Sequence, residues 1–582
     1  MITRQIRQRA SVPISSGLSE FPAKLQQILA SRGVRDAGEL DYSLAGLLPP
    51  TGLKNIELAA NYLFDAVKQQ QAILIVGDFD CDGATSSAVM IKALTRLGAK
   101  RVNFLVPDRF KYGYGLSIKL VEHAATLKPD LIVTVDNGIA NVDGVKRASE
   151  LNIPVIITDH HLAGDTLPDA LAIVNPNQPE CEFASKNLAG VGVAFYLMLV
   201  LRALMRNEGW FDSQGIDEPN LAELLDIVAL GTVADVVVLD KNNRILVEQG
   251  LKRIRSGIAC PGIMAILQVA NRDYSTCQAS DIGFSVGPRL NAAGRLDDMS
   301  VGIECLLANS IDEALPIAAR LDQLNRSRKN IESEMLQQAN LDLSSYLEQA
   351  DQQSKRENRP LSMCLFDPDW HQGVIGILAS RVKDKINRPT IVFARDDESD
   401  DPLIKGSARS VKGIHIRDAL ALLDSQHPHL IEKFGGHAMA AGLSIKQKNF
   451  QKFAQLFHDA VEQQLGGESI KDEILTDAGL EVEELSIPFA FQLRQAGPWG
   501  QGFPEPIFDD IFEVVNSRIV GGEHLKLVVK KDELCVDGIF FRCPENLQTQ
   551  AGHKVHLVYK LDINEFRGNQ TLQLMVEQLE IL

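Results

Sequence analysis

Three short apolar runs in the first third of the chain each end in acidic residues, and this pattern limits the folds available to the chain. The runs are residues 72–76, 131–135 and 155–158. Uninterrupted apolar runs of this length are typical of strands that are buried on both faces. Residues 85–97, between the first two runs, predict a helix. Strands that alternate with helices favour an α/β fold with a doubly wound parallel sheet.

Aspartate and histidine residues follow all three predicted strands. They are Asp78, Asp80, Asp82, Asp136, Asp159, His160 and His161. Because ligands bind beyond the carboxyl ends of parallel strands, we expect these side chains to meet at one edge of the sheet. Asp235 follows the apolar segment 227–234 and is expected at the same edge. A single aspartate after a strand is more often a helix N-cap, but so many acids and histidines at three strand ends cannot all be caps.

The residue types at this edge favour a divalent metal site. Carboxylate oxygens bind Mg²⁺ or Mn²⁺, and imidazole nitrogen shifts the preference toward Mn²⁺. So many carboxylates in one place would also repel one another in the absence of cations. We therefore predict that the cluster binds Mn²⁺ or Mg²⁺.

Composition narrows the class of protein. With 582 residues, 45% of them hydrophobic, the chain is long enough for several domains. Its net charge of −17 at pH 7 argues against a surface coated in positive charge for duplex DNA or membranes, but is compatible with a local basic groove. No segment reaches about 18 uninterrupted apolar residues, and the eight cysteines form no C-x-x-C pair. We expect a cytoplasmic protein with no membrane span, disulfide framework or zinc site.

Four segments together resemble the ordered motifs of the DHH phosphoesterase superfamily. They are residues 78–83, 136–138, 159–161 and 231–235. Two further segments, 287–296 and 370–376, resemble those of the single-strand-specific DNA exonucleases in that superfamily. The likeness runs from about residue 50 to the end of the chain. It implies a metal-dependent exonuclease that releases 5′-mononucleotides from single-stranded DNA in the 5′ to 3′ direction, in DNA recombination and repair.

The resemblance also implies a pair of metal ions, Mn²⁺ or Mg²⁺, in one catalytic site. Carried over by position, Asp80 and Asp235 would bind one ion, and Asp82 and His160 would bind the other. Asp136 would bind both ions and set their spacing.

The remaining residues of the cluster have supporting roles by the same resemblance. Asp78 would support the loop or reach an ion through water, and Asp159 would orient His160. His161 would contact the scissile phosphate or an ion. Val76 stands where some DHH phosphoesterases carry an additional histidine.

Several residues outside the metal cluster are candidates for contact with DNA. They are Arg109, Arg289, Asn291, His371, Ser407, Arg409, Gly436 and His437. Clustered glycines let backbone N–H groups approach phosphate, and arginine supplies a forked donor. Glycine-rich segments are by themselves more often tight turns. Beside a metal phosphoesterase site, Ser407, Arg409, the glycine-rich segment 435–442 and Arg109 become candidates for binding a terminal phosphate.

The glycine-rich segment 190–192 superficially suggests a dinucleotide-binding site. Phe195 stands where the third glycine of that fingerprint belongs, and no buried strand precedes the segment. No dinucleotide cofactor is expected.

The expected domains follow from the motifs and the resemblance. They are an N-terminal leader (1–50), the DHH catalytic domain (51–240), a helical connector (241–355), a smaller α/β DHH-associated domain (356–465) and a C-terminal OB-fold β-barrel (466–582). Four aromatic residues of the last domain, Trp499, Phe503, Phe541 and Phe566, are expected either to stack on bases or to fill the barrel core.

The expected partner is single-stranded DNA, and the resemblance adds a single-strand DNA-binding protein and a helicase. We expect a monomer that does not associate with membranes. One alternative is a DHH phosphoesterase that acts on pyrophosphate, short oligonucleotides or cyclic dinucleotides. The other is a non-catalytic relative that binds single strands as a scaffold, but relatives of that kind lose metal ligands that are present here.

Overall fold

The computed structural model describes residues 4–108, 111–352, 360–396, 402–543, 547, 549–566 and 568–582. By its internal contacts the chain divides into two compact units. The larger unit comprises Ala10–Asn325 and Ile487–Pro506, and the smaller unit comprises Met1–Arg9, Arg326–Ser486 and Ile507–Leu582.

The strands follow one another along the chain in three groups. In order they are β1 (Gln5–Gln8), β2 (Ile73–Val76), β3 (Val102–Leu105), β4 (Leu131–Val135), β5 (Val155–Thr158), β6 (Ala172–Val174), β7 (Met363–Phe366), β8 (Thr390–Arg395), β9 (Leu403–Arg409), β10 (Lys433–Gly436), β11 (Ala440–Lys446), β12 (Glu473–Thr476), β13 (Phe508–Val520), β14 (His524–Lys531), β15 (Leu534–Phe540), β16 (Lys554–Phe566) and β17 (Asn569–Ile581).

Helices separate and follow these strands. In order they are α1 (Ala23–Ser31), α2 (Ile56–Lys68), α3 (Cys81–Arg96), α4 (Ile118–Thr126), α5 (Val142–Glu150), α6 (Gly190–Asn207), α7 (Trp210–Gln214), α8 (Leu225–Ala234), α9 (Lys241–Arg255), α10 (Pro261–Val269), α11 (Ala279–Asp281), α12 (Gly287–Leu296), α13 (Ser300–Leu307), α14 (Ile311–Gln352), α15 (Ile375–Ile386), α16 (Ile416–Gln426), α17 (Phe450–Leu465) and α18 (Ile487–Gln495).

The larger unit contains the predicted parallel sheet. Its strand order is β3-β2-β4-β5-β6, and every neighbouring pair is parallel. One face of the sheet packs against α4 and α5, and α3 and α6 contact the strands as well. All residues of β2, β4 and β5 are buried, as their apolar sequences predict. The prediction of a doubly wound α/β domain is confirmed.

Helix α6 is the one described helix long and apolar enough to cross a membrane. In the structure 61% of that segment is buried inside the protein. Its first residues also lie against the carboxylates described below, so α6 is a core helix of the larger unit.

The smaller unit contains a mixed sheet and a closed barrel. The sheet has the order β10-β11-β9-β8-β7, in which only β7 and β8 run parallel. The barrel closes in the order β13-β14-β15-β17-β16, with β15 and β17 as its parallel pair. These elements confirm the predicted second α/β domain and the C-terminal barrel.

The N-terminal segment is divided between the two units. Strand β1 pairs in parallel with β12, and the backbone N–H and C=O of Arg4 both bond to the side chain of Gln578. Residues from Ala10 onward belong to the larger unit. The first 50 residues therefore do not form the separate helical leader that the sequence suggests.

Residues 487–506 lie in the larger unit and outside the barrel. There the ring of Trp499 stacks on that of Phe503, with centroids 4.8 Å apart. Phe503 is buried, and the guanidinium of Arg244 lies 4.1 Å from its ring centroid. Trp499 and Phe503 therefore do not fill the barrel core, which is one of the two roles expected for them. Phe541 is 50% exposed, and the side chain of Phe566 lies outside the described residues.

Candidate metal centre

The loop after β2 leads directly into α3, which begins at Cys81 rather than after the acidic cluster. Asp80 is the N-cap residue, and its Oδ1 accepts the N–H groups of Asp82 at 2.8 Å and Gly83 at 3.1 Å. Asp80 is thus both a helix cap and a candidate ligand, because its second oxygen is not used in this cap. The N-terminus of α3 also favours negative charge at this position.

Asn291, on α12, fixes the same loop. Its side-chain oxygen accepts the N–H of Cys81 at 2.8 Å. The sequence suggests a DNA contact for Asn291, but in the structure its amide oxygen holds the loop that carries the carboxylates.

The turn after β4 brings Asp136 to the carboxyl edge of the sheet. Asp136 has a left-handed backbone with φ of 61°, which is uncommon for a residue other than glycine. Its N–H donates to the carbonyl of Thr158 on β5, at 3.0 Å. The amide of Asn137 donates to the carbonyls of Val76 and Val135, so the turn is tied to three neighbouring strands.

Asp159, after β5, holds the second histidine of the pair. Its Oδ1 accepts the backbone N–H groups of His160 and His161 and lies 2.8 Å from Nδ1 of His161. Its Oδ2 accepts the N–H of Ile139. The resemblance assigns Asp159 to orienting His160; in the structure its carboxylate contacts the ring of His161 and accepts the backbone N–H of His160.

Tyr114 completes this arrangement, and sequence reasoning missed it. Its hydroxyl lies 3.2 Å from Nε2 of His161. Although burial opposes a charged ring, the hydrogen bond and the charge of Asp159 raise the pKa of His161 to about 9. In turn, the hydrogen bond and charge of His161 outweigh burial and lower the pKa of Asp159. The signal available in the sequence is the tyrosine and glycine cluster at 112–115, which precedes α4.

His160 lies at the centre of the cluster. Its Nε2 is 3.1 Å from Oδ1 of Asp136, 3.5 Å from Oδ2 of Asp235 and 3.9 Å from Oδ2 of Asp82. Asp235 reaches this point as the C-cap residue of α8, which packs on α3.

The candidate ligand atoms form three overlapping groups, each within 4.8 Å. The groups are Asp78 with Asp80 and Asp136, Asp82 with His160 and Asp235, and Asp136 with His160 and His161. Asp235 groups with Asp82 and His160, and the resemblance places it on one ion with Asp80. Asp136 and His160 each belong to two of the three groups, and of the two only the carboxylate has two oxygen atoms with which to bind two ions.

The electrostatics of the cluster are those of a cation site. Burial, followed by the charges of neighbouring carboxylates, raises the pKa values of Asp136 and Asp235 well above their usual range. Burial and the charge of Asp80 raise the pKa of Asp82 to about 7. The buried Oδ1 of Asp136 accepts no hydrogen bond from any described residue. Oxygen and imidazole ligands in this geometry fit Mn²⁺ or Mg²⁺.

The first residues of α6 form the floor of the site. The N–H groups of Gly190 and Val191 donate to the carboxylate of Asp82 at 2.6 and 2.9 Å. A Cβ atom on Gly190 would lie 2.7 Å from Cβ of Asp136, so only glycine fits there. The glycine segment that superficially suggests a dinucleotide site thus packs against two candidate metal ligands.

Arg289 and Arg109 are the other residues of the larger unit that are predicted to contact DNA. Arg289 forms an ion pair with Asp322 at 2.8 Å and donates to the carbonyl of Ser285. It is mostly buried, so in the structure it anchors α12 to α14. Arg109 lies outside the described residues.

In the smaller unit the structure brings Ser407 and Arg409 together at one end of β9. Nη1 of Arg409 donates to Oγ of Ser407 at 3.1 Å. A Cβ atom on Gly376 would lie 2.9 Å from that hydroxyl and 3.1 Å from Nη2 of Arg409. Among the described residues, no carboxylate lies within 4.0 Å of Arg409, and burial lowers the pKa of its guanidinium.

The other predicted DNA contacts of the smaller unit are Gly436, His437 and His371. Gly436 and His437 lie at the turn between β10 and β11, and β11 pairs with β9. Gly436 has φ of 147°, and the N–H of His437 donates to Ala440 across the turn. Nδ1 of His371 accepts the N–H of Gly373.

Family models and known proteins match this chain along nearly its whole length. Models of the DHH family N-terminal domain, the DHHA1 domain and the RecJ OB domain match residues 72–232, 360–463 and 476–578. Over 579 residues the chain is 50% identical to the single-stranded-DNA-specific exonuclease RecJ of Escherichia coli, covering 99% of this chain and 98% of that protein. The chain belongs to the RecJ family. The RecJ of Thermus thermophilus is 31% identical over 558 residues, covering 93% of this chain and 75% of that protein.

Solved structures of RecJ proteins agree with this assignment. The crystal structure of RecJ from Thermus thermophilus in complex with Mn²⁺ matches 99% of this chain and 80% of that chain, with a TM-score of 0.78 and 28% identity. A second structure, of exonuclease RecJ bound to manganese, matches 73% of this chain and 99% of that chain, with a TM-score of 0.57 and 31% identity. The resemblance to the DHH superfamily is confirmed.

Proposed function

We propose that this chain is a metal-dependent exonuclease specific for single-stranded DNA. The observation that carries the proposal is the buried cluster around Asp136 and His160, in a chain of the RecJ family. The carboxylates lie close together, and burial and mutual repulsion raise their pKa values. Such a cluster suits the binding of cations rather than general acid–base catalysis alone.

Two divalent ions bound at this cluster would supply an activated water and neutralise the phosphate oxygens of the scissile linkage. By the family resemblance Asp136 would hold both ions. Asp78 and Asp80 group with it on one side, and on the other it lies 3.1 Å from His160, which groups with Asp82 and Asp235. His161, held by Asp159 through Nδ1 and by Tyr114 through Nε2, would place its ring beside the phosphate at the rim of the cluster. Although burial opposes the charged ring, the hydrogen bond and charge of Asp159 raise the pKa of His161 to about 9 in the metal-free protein.

The smaller unit would bind the terminal phosphate of the strand through Arg409 and Ser407. A half-buried guanidinium with no carboxylate partner among the described residues favours an external anion. Gly376 keeps the approach to both groups open, because a larger side chain would collide with them. Holding one end of the strand would make cleavage start from that end.

The finer assignments rest on the family resemblance. They are degradation in the 5′ to 3′ direction, 5′-mononucleotide products, a role in DNA recombination and repair in the cytoplasm, action as a monomer, and cooperation with a single-strand DNA-binding protein and a helicase.

The activity is tested with end-labelled linear single strands, circular single strands and blunt duplexes in Mn²⁺. We expect rapid release of mononucleotides from linear single strands, and slow or no cleavage of the circular and duplex substrates. Equal cleavage of circular and linear single strands would replace the exonuclease assignment with an endonuclease. Equal cleavage of duplex would contradict specificity for single strands.

The terminal-phosphate assignment is tested with Arg409→Ala on 5′-phosphorylated and 5′-hydroxyl strands. A charge-assisted fork to phosphate is worth about 1.5–3 kcal/mol, so the preference for the phosphorylated strand should fall about tenfold or more. Arg395→Ala is the matched control, because Arg395 is an exposed arginine at the other end of the same sheet. An unchanged preference in Arg409→Ala would move the phosphate site elsewhere.

A further inference from the structure

Phe284 has the highest exposed fraction of the large hydrophobic side chains at the described positions, 83%. Its neighbours Ile282, Ser285 and Val286 are all buried. An exposed phenylalanine in a firmly packed segment is unusual, because exposure removes the free-energy gain of burying its ring.

The local backbone fixes this position. Residues Ile282–Val286 form a π-helical turn, in which the N–H of Gly287 donates to the carbonyl of Ile282. Pro288 has no N–H to donate to the carbonyl of Phe284, so a regular α-helical pattern cannot continue through the turn. Such turns insert one residue into a helix and occur often at functional sites.

The turn is anchored on both sides by contacts that leave the ring exposed. Arg289 donates to the carbonyl of Ser285, and Asn291 binds the loop that carries the metal ligands. Arg272 donates to the hydroxyl of Ser285. The segment 287–296, in which we expected DNA contacts from Arg289 and Asn291, thus holds the backbone at Phe284 in place.

The turn also lies against the end of α8 that delivers Asp235. A Cβ atom on Gly283 would lie 3.4 Å from the side chain of Val233, and one on Gly287 would lie 3.2 Å from Cβ of Ala234. Asp235 is the next residue of the chain and belongs to the group with Asp82 and His160. Val236 follows it and is 64% exposed, so a second exposed apolar side chain is next in the chain to this candidate metal ligand.

We propose that Phe284 stacks on a nucleobase of the single strand next to the linkage that is cut. This inference rests on the proposed function and adds a positioning residue to it. Apolar side chains beside a phosphodiester-cleaving centre cannot bind phosphate, but a nucleobase offers a flat face that an exposed ring can cover. Because every base has such a face, the contact would be insensitive to sequence. It would also favour single strands, whose bases are accessible.

The test compares wild type with Phe284→Ala on linear single strands that carry one abasic nucleotide. Wild type should pause at one fixed distance from the abasic position, where no base is available for Phe284. Phe284→Ala should cut unmodified strands about tenfold more slowly in kcat/KM and lack that pause. Phe284→Tyr should restore both the rate and the pause, since tyrosine keeps the ring.

Leu127→Ala is the matched control, because Leu127 is 52% exposed and follows α4 near the amino end of β4, away from the metal centre. It should retain the wild-type rate and pause. The proposal is overturned if Phe284→Ala cuts unmodified strands as fast as wild type, or if it is slow but keeps the pause. Failure of the proposed function would differ from both, because wild type would then not degrade unmodified linear strands.

Discussion

Asp136 is the residue on which the proposed two-ion mechanism depends most. It belongs to two groups of ligand atoms and has a buried oxygen that accepts no hydrogen bond from the described residues. Its strained left-handed backbone is the kind of feature that persists where function requires it. The sequence predicts which residue types gather here, because each follows a buried strand. It cannot predict that Asp235 lies with Asp82, since that depends on where α8 ends against α3.

Replacing Asp136 by alanine should abolish hydrolysis while leaving the fold intact, because both ions lose a shared ligand. We expect a loss of on the order of a thousandfold or more, measured as initial rate at saturating Mn²⁺ on linear single strands. Asp143→Ala, an exposed acid on α5, is the control and should keep the wild-type rate. Substantial turnover by Asp136→Ala would rule out a shared ligand.

In the metal-free protein, the charge of Asp235 should lower the free energy of unfolding more at high pH than at low pH. Burial and the charges of Asp82 and Asp80 raise the pKa of Asp235, so the folded state binds its proton more tightly than the unfolded state does. The free energy of unfolding therefore falls as pH rises from the unfolded pKa, about 3.9, through the raised value of the folded state. Asp82 adds to the same trend up to its pKa of about 7.

Asp235→Asn removes this ionisation cost. In EDTA it should raise the melting temperature at pH 8 by about 2 °C or more and change it much less at pH 5. Differential scanning calorimetry at the two pH values measures the difference. Equal shifts at both pH values would show that Asp235 is not held in the repulsive environment described here. Adding Mn²⁺ should instead stabilise wild type more than Asp235→Asn.

At the scale of elements, the sequence predicts the positions of the strands better than the residues at which the helices begin. The apolar runs before Asp78, Asp136 and Asp159 are the observed β2, β4 and β5. Helix α3, however, begins at Cys81, because Asp80 caps it and the acidic cluster extends into its first turn. The role of α6 also escapes sequence reasoning, since its glycines are needed for contact with residues that lie far away in the chain.

Gly190→Ala should damage the metal centre although it changes no ligand. Its Cβ atom would lie 2.7 Å from Cβ of Asp136, so α6 or the β4 turn must move. We expect at least about tenfold weaker Mn²⁺ binding by isothermal titration calorimetry, since a tenfold change corresponds to only about 1.4 kcal/mol.

The matched control is Gly192→Ala on the same helix. A Cβ atom there would meet the terminal Cδ2 of Leu188 at 3.1 Å, and a flexible side chain can yield. It should bind Mn²⁺ as wild type does, with stability helped by the higher helix propensity of alanine. Equal effects of the two substitutions would contradict the close packing of α6 on the site.

At the scale of the whole molecule, the order of the folds along the chain is predictable, but the distribution of segments between the two units is not. Strand β1, near the start of the chain, pairs with β12 far along it, and residues 487–506 return to the larger unit. Trp499 and Phe503 illustrate the cause. Aromatic residues near a predicted barrel look alike in sequence whether they stack on bases or, as here, stack on each other outside the barrel, with Phe503 beside Arg244.

Removal of residues 507–582 deletes the barrel while keeping residues 487–506, which belong to the larger unit. The metal ligands lie entirely in the larger unit, so the loss should appear mainly in KM for long single strands, with kcat changed much less. Steady-state kinetics on long and short strands separate the two parameters, and circular dichroism checks that the remainder is folded. Unchanged affinity of the folded truncation for long strands would contradict a binding role for the barrel.

The number and coupling of the bound ions test the central claim most directly. Wild-type chain titrated with Mn²⁺ and followed by electron paramagnetic resonance should bind two ions, with the exchange-coupled spectrum of a pair that shares a carboxylate. Asp136→Ala should lose the coupled spectrum. A single bound ion, or two ions with independent spectra in the wild-type protein, would contradict the account.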